Sequence, residues 1–189
     1  MIEFLQDIDQ SIFILIHEKW AHPILDAILL PIRNALTWIP LYVLFIFLIF
    51  KEYQLKGFYF LLAAILSIIL TDQFSAGFMK PFFERLRPCH EPSLSQHIRH
   101  IIDCGGQYGF ISSHATNHFG LAVIFTWFFT KKHPSNHLHW IFYVWAGLIS
   151  FAQVYVGKHY LGDIMVGAIA GFIIGKFIVT GLHKVLLKS

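Results

Sequence analysis

The chain has 189 residues, of which 56% are hydrophobic, 17% aromatic and only 13% charged, with a mean hydropathy of +0.61. Soluble domains carry nearer a quarter charged residues, so this composition excludes an ordinary water-soluble globule and predicts an integral membrane protein. The formal charge of +3 is too small to argue for nucleic acid, and the length suits one helical bundle without a second domain.

Residues 1–20 set Ile2, Phe4, Leu5, Ile8, Ile12, Phe13, Leu15 and Ile16 against Glu3, Asp7, Asp9, Gln10 and Glu18. A helical apolar stripe with a charged face predicts a helix lying at the membrane interface. The first nine residues are acidic and lack both a basic leader and a small-residue cleavage site, so they do not read as a cleavable signal. Residues 22–34, broken by Pro23, Pro31 and Arg33, are too short to span and predict a second interfacial or re-entrant helix. Residues 1–34 therefore form an N-terminal unit and residues 35–189 the core.

Five apolar runs follow, at 35–50, 57–79, 113–130, 138–157 and 162–182. At 1.5 Å per residue, a helix of about 23 residues reaches about 35 Å, enough for a hydrocarbon layer of about 30 Å. The predicted fold is all-α: an integral membrane helical bundle with five or six transmembrane helices plus an N-terminal interfacial helix. If the five runs cross in alternation, Lys51, Lys56, Lys131, Lys132, Lys184 and Lys188 fall on one side, cytoplasmic by the positive-inside rule. The opposite side receives the segment 80–112 and His159. There Arg85, Arg87 and Arg99 run against the topological bias, and an anionic ligand would explain them.

Three groups on that outer side could carry chemistry. Lys80 is followed by Arg87-Pro88, an ammonium and a guanidinium, two donor types suited to phosphate oxygens; the alternative is anchoring to lipid headgroups by snorkelling. Ser112-Ser113-His114 opens the third run, where unpaired backbone N–H groups and the helix dipole welcome an anion and His114 could donate a proton. Ser112 as a plain N-cap is the simpler reading of that residue. His159 stands four residues before Asp163, an imidazole that could attack phosphorus and a carboxylate that could orient it, though such a pair can also merely stabilise a helix. Asp72, inside the second run, is an intramembrane acid and so a further candidate, or else a partner for a neighbouring helix.

Cys89 and Cys104 are the only cysteines. In an oxidising compartment they would close the outer segment by a disulfide, and otherwise they would pack as two free thiols. His90, His97, His100, His114 and His118 lack the spacing of a zinc site, which argues against a catalytic metal, and Gly105-Gly106 has no Walker lysine after it.

In order and spacing these three groups resemble the type 2 phosphatidic acid phosphatase superfamily, the metal-independent membrane lipid phosphatases, over about residues 56–180. The resemblance implies a lipid phosphatase of a bacterial inner membrane with its site facing the periplasm. It implies that His159 forms a phosphohistidine oriented by Asp163 and that His114 is the general acid. Lys80, Arg87, Ser112, Ser113 and Gln153 would contact the phosphate, with no metal and no cofactor. The implied partner is a phosphorylated lipid in the bilayer: phosphatidic acid, phosphatidylglycerol phosphate or undecaprenyl diphosphate, with lipid A as the alternative substrate and a catalytically silent lipid-binding protein as the alternative class. Two motifs depart from the family's pattern. Ile111 and Ser113 stand where the second motif has Pro and Gly, and Gln153 stands where the third has arginine. The neutral amide removes one positive charge, which Arg85, Arg99 or Lys158 would have to replace.

Overall fold

In the computed structural model, residues 2–132 and 137–186 are described; their regular elements are all helical apart from one isolated bridge between Leu86 and Tyr108, and residues 98–112 form an irregular loop. Helix α1 spans Ile2–Ile14 and continues through a wide turn, Leu15–Lys19. Helix α2, Pro23–Ile32, starts where proline needs no amide donor, and His22 caps it by accepting the Ile24 N–H at 3.2 Å. Asn34 likewise accepts the Leu36 N–H at 3.1 Å and opens a short turn into α3, Ile39–Tyr53. The chain reverses at Gln54, whose φ is +51°, and α4 runs over Gly57–Asp72.

The segment Ala35–Phe83 is apolar for 49 residues, yet it is a hairpin, because Phe45 and Phe60 both pack on Phe125, at 4.9 and 5.6 Å between ring centres. Past Asp72 the helix widens over Gln73–Met79 and tightens again into α5, Lys80–Phe83. Lys80 therefore lies inside the helical column and not at the start of the loop, a shift from the predicted end at 79. Glu84, with φ +48°, ends it. Two short turns, Pro88–His90 and Pro92–His97, lead to α6, Ser113–Lys132; then come α7, Ile141–Tyr155, and α8, Leu161–Leu186.

Helices α4, α6 and α8 cross closely because small residues meet there. A Cβ on Gly167 would lie 2.9 Å from the Ser112 carbonyl, and one on Gly175 2.9 Å from the Gly120 carbonyl. Gly171, midway between them, faces the Thr116 carbonyl with no room for a side chain. Glycines four apart on one face of α8 let its backbone rest on that of α6. At the same crossing the Thr71 hydroxyl lies 2.7 Å from the Asn117 side-chain oxygen, so Thr71 rather than Asp72 makes the link between helices.

Two buried clusters follow. One is aromatic and joins α3, α4, α6 and α7 through Phe60, Phe125, Phe128, Phe142 and Trp145. The other fastens the N-terminal helices to the end of α7 through Phe13, Ile16, Leu29, Tyr155 and Tyr160. Outward faces of α3, α4 and α8 are apolar and unpaired, with Phe47, Leu62, Ile173 and Phe177 each more than 60% exposed. In water such a surface would drive aggregation, and in a bilayer it is the solvated side. Ala35–Phe83 and Leu161–Leu182 are long and apolar enough to cross a membrane.

His17 fixes how the N-terminal unit sits. Its Nδ1 is 2.7 Å from the Tyr155 carbonyl and its Nε2 accepts the Arg99 N–H at 2.9 Å. One nitrogen must donate and the other must accept, so the ring is neutral with its proton on Nδ1. Burial lowers its proton affinity below the ordinary imidazole value, in the same sense.

Candidate active site

The turn after α7 carries the nucleophile candidate. Gly157 holds a φ of +91°, and a Cβ there would come within 2.9 Å of the His17 ring; only glycine makes this turn without strain or clash. The N–H groups of Lys158 and His159 both donate to the Gln153 carbonyl, at 3.0 and 3.3 Å. His159 is thereby folded back under the bundle, 2% exposed, with Nδ1 3.3 Å from Asp163 Oδ2.

Asp163 is fully buried and saturated with donors. Oδ2 also accepts the Tyr160 N–H at 3.0 Å, and Oδ1 accepts Arg85 at 2.8 Å. A carboxylate so held can only accept, which places the imidazole proton on Nδ1 and leaves the Nε2 lone pair free. Burial lowers the proton affinity of His159 below its usual range, and the bond to Asp163 opposes this without reversing it. A neutral imidazole results, which is the nucleophilic form.

Lys80, at the head of α5, donates to Ser113 Oγ at 3.0 Å, and Ser75 donates to the same oxygen at 2.9 Å. Arg87 is aimed by two carbonyls: Nε donates to Tyr108 at 3.2 Å and one terminal nitrogen to Cys104 at 3.1 Å. Gly109 makes room between the Arg87 stem and Asp163, since a Cβ there would lie 3.2 Å from each. Burial lowers the Arg87 proton affinity and Asp163 opposes the shift, yet a guanidinium stays charged.

The remaining imidazole, His114, sits on the first turn of α6. Its carbonyl is 2.8 Å from His118 Nδ1, and the two rings stack 6.2 Å apart. Lys80 meets Ser113, the neighbour of His114, the Ser112 N–H is on the Asp163 carbonyl, and Gly109 is wedged between Arg87 and the Asp163 carboxylate that holds His159. The lysine, the arginine, both imidazoles and Asp163 thus gather at one end of the bundle.

Other expectations land differently. Ser112 is buried with its N–H on the Asp163 carbonyl, 3.1 Å, and its Oγ 3.5 Å from the Ala115 N–H. It behaves as the cap of α6, so Ser113 is the hydroxyl that meets Lys80. Arg85 is not spare charge: it bridges Asp163 and Asp9, both at 2.8 Å, and lies over the Tyr160 ring at 4.2 Å. Burial would weaken its hold on the proton, but Asp163 and Asp9 raise it. Arg99 is likewise taken, by Asp26 at 3.1 Å. Of the three proposed substitutes for a positive charge at Gln153, only Lys158 has no carboxylate in contact among the described residues. Gln153 itself is fully buried with neither amide atom bonded.

Cys89 and Cys104 are joined by a disulfide, with Cα atoms 6.2 Å apart. Cys89, His90 and Cys104 converge, but the bond consumes both thiols, leaving a single imidazole, whose Nε2 donates to the Gly105 carbonyl 3.0 Å away. Sequence reasoning missed Asp9, which pairs with Arg85 and accepts the Gly162 N–H at 2.9 Å, because nothing in the local pattern ties residue 9 to residue 163. It also passed over Arg33, whose only signal was a lone cation in an apolar stretch.

A family model, the PAP2 superfamily, matches residues 56–186. A lipid A 4'-phosphatase of Porphyromonas gingivalis is 31% identical over 195 residues, covering the whole chain and 77% of the relative. One of Bacteroides thetaiotaomicron is 32% identical over 192 residues, covering the whole chain and 83% of the relative. Among solved structures, a transmembrane PAP2-type phosphatidylglycerolphosphate phosphatase from Bacillus subtilis superposes with a TM-score of 0.67 at 23% identity, covering 95% of this chain and 86% of that one. Aquifex aeolicus LpxE superposes with a TM-score of 0.61 at 22% identity, covering 92% and 95%. At that identity the two structures speak for the fold, which is the membrane-phosphatase helical bundle. The family match spans most of the chain and includes every group of the cluster from Lys80 to Asp163: the chain belongs to the PAP2 superfamily, and it is a lipid phosphatase.

Proposed function

We propose that the chain removes a phosphate monoester from a lipid A-type glycolipid in two steps through a phosphohistidine at His159. The observation that carries the mechanism is the buried His159–Asp163 pair, 3.3 Å apart, with Lys80 on Ser113 beside His114 and Arg87 packed across Gly109 from Asp163. Nε2 of His159 attacks phosphorus and the bond to the lipid oxygen breaks, while His114 protonates that leaving oxygen. Water then attacks the phosphohistidine with His114 as base, the N–P bond breaks and inorganic phosphate leaves. Lys80, Arg87 and the Ser113 hydroxyl hold the equatorial oxygens, and Asp163 steadies the imidazole as it gains positive charge.

The substrate class rests on the two relatives at 31% and 32% identity, both lipid A 4'-phosphatases aligned over the whole chain. We read α3, the α4–α5 column, α6, α7 and α8 as five spans, with residues 1–34 at the outer interface and 35–189 as the core. Lys56 and Lys131 line one pocket at the end away from His159, which suits a cytoplasmic side for them and a periplasmic site in an inner membrane. Purified protein assayed with chelator present should release phosphate from lipid A faster than from phosphatidylglycerol phosphate, phosphatidic acid or undecaprenyl diphosphate, and His159→Ala should release none. A preference for a glycerolipid would overturn the substrate class, and turnover by the alanine variant would overturn the mechanism.

A further inference from the structure

One cation near His114 has no part in the steps above. Arg33 directly follows α2, is partly buried, has no bond at Nε, and meets no carboxylate among the described residues. An unpaired, partly desolvated guanidinium is unfavourable unless something anionic comes to it. The fold nevertheless fixes where it stands. Asp26, seven residues earlier, accepts the Tyr155 hydroxyl at 2.7 Å and pairs with Arg99 at 3.1 Å, so this face of α2 is turned to the end of α7. Seven residues are two helical turns, so Arg33 leaves the same face about 10 Å further along. Just beyond, Trp38 donates to the Ile32 carbonyl at 2.7 Å and packs edge-on to Trp145, which in turn touches His118 beside His114.

The contacts from Trp38 through Trp145 thus lead from the end of α2 that carries Arg33 to His118, one turn beyond His114. Lys158, next to the nucleophile, reaches the outer segment: a Cβ on Gly105 would lie 3.8 Å from its Nζ, and the preceding Cys104 carbonyl accepts Arg87. Positive charge is thus gathered from α2, from the outer segment and from the turn before His159, while buried Gln153 contributes none. Asp163 is already committed to Arg85, and none of Lys80, Arg87, Lys158 and Arg33 is in an ion pair among the described residues, so a phosphate dianion would find unpaired cations there.

We propose that Arg33 is a substrate-binding residue, a phosphate ligand supplied by the N-terminal unit and working with Lys80 and Arg87. This rests on the reading that His159 takes the phosphoryl group. It gives α2 a task beyond lying at the interface: its fastening through Asp26, Tyr155 and Arg99 sets the reach of the guanidinium.

The test compares wild type, Arg33→Met and Arg33→Lys in detergent, reading KM for lipid A and the inhibition constant for inorganic phosphate, with melting curves for each variant. Arg33→Met should keep its melting point and weaken phosphate inhibition and KM about tenfold, the loss of one charge-assisted contact. Arg33→Lys, which retains the charge without the fork, should fall between. Unchanged phosphate inhibition in a folded, active Arg33→Met protein would overturn the assignment while leaving the histidine mechanism intact. Absence of phosphate release from wild type itself would overturn both.

Discussion

The two ends of the bundle are stabilised by opposite means. At one, Phe45, Phe60, Phe125, Phe128 and Phe142 meet in edge-on, tilted and stacked pairs with ring centres 4.5 to 5.6 Å apart, and shape alone has to be satisfied. At the other, Asp163 accepts bonds from Arg85, His159 and Tyr160, Arg85 also holds Asp9, and Asp9 caps the Gly162 N–H. Apolar packing tolerates exchange of one hydrocarbon for another, whereas a buried charge network fails when one member leaves. The difference teaches that the polar end should tolerate change least, because there the atoms proposed for catalysis also hold the helices together.

The sharpest way to separate those two roles is Asp163→Asn. The amide keeps the shape but can present its N–H to His159 and favour the wrong tautomer, so kcat should fall on the order of 1,000-fold with little change in KM. Steady-state kinetics on lipid A reads this, and near-normal kcat would deny Asp163 its orienting role. Next in size is Arg85→Met, which leaves Asp9 and Asp163 buried without their cation. Its unfolding free energy in detergent should drop by about 3–5 kcal/mol, and an unchanged melting curve would mean that the Asp9–Arg85–Asp163 bridge holds nothing together.

Acid should then discriminate the ends. His159 is held below its ordinary value of 6.5, so its contribution to stability is present above 6.5 and is lost as pH falls from there through the folded value. The melting temperature of wild type should therefore fall between pH 7 and pH 5 by more than that of His159→Gln; equal falls would place the titrating group elsewhere. The smallest effect is expected at the aromatic end, where Ile124→Leu, at a fully buried position, should change stability by less than about 1.5 kcal/mol with kcat intact. A loss matching Arg85→Met would erase the contrast between the ends.

Much of this was legible from residue types alone. Apolar runs locate the helices because length and hydropathy bear directly on membrane burial, and the motifs at Lys80, His114 and His159 stand out because they gather on the side where cations run against the positive-inside bias. Helix ends were less legible: the column containing Lys80 runs on to Phe83 because a wide turn absorbs the change in pitch. Partnerships were the least legible. Arg85 could pass for a free phosphate ligand until Asp9, 76 positions away, was seen to occupy it, and nothing in the local pattern joins the Ser112 N–H to the Asp163 carbonyl. Such pairings depend on how α1 and α8 meet, which local pattern does not encode.

The most direct measurement is to trap the covalent intermediate. Lipid A carrying a radiolabelled phosphate, mixed with excess enzyme and quenched in alkali within one turnover, should leave label on the peptide that contains His159, stable to base and lost in acid. His159→Ala should carry none. Label on another residue, or full turnover by His159→Ala, would contradict the assignment of His159 as nucleophile.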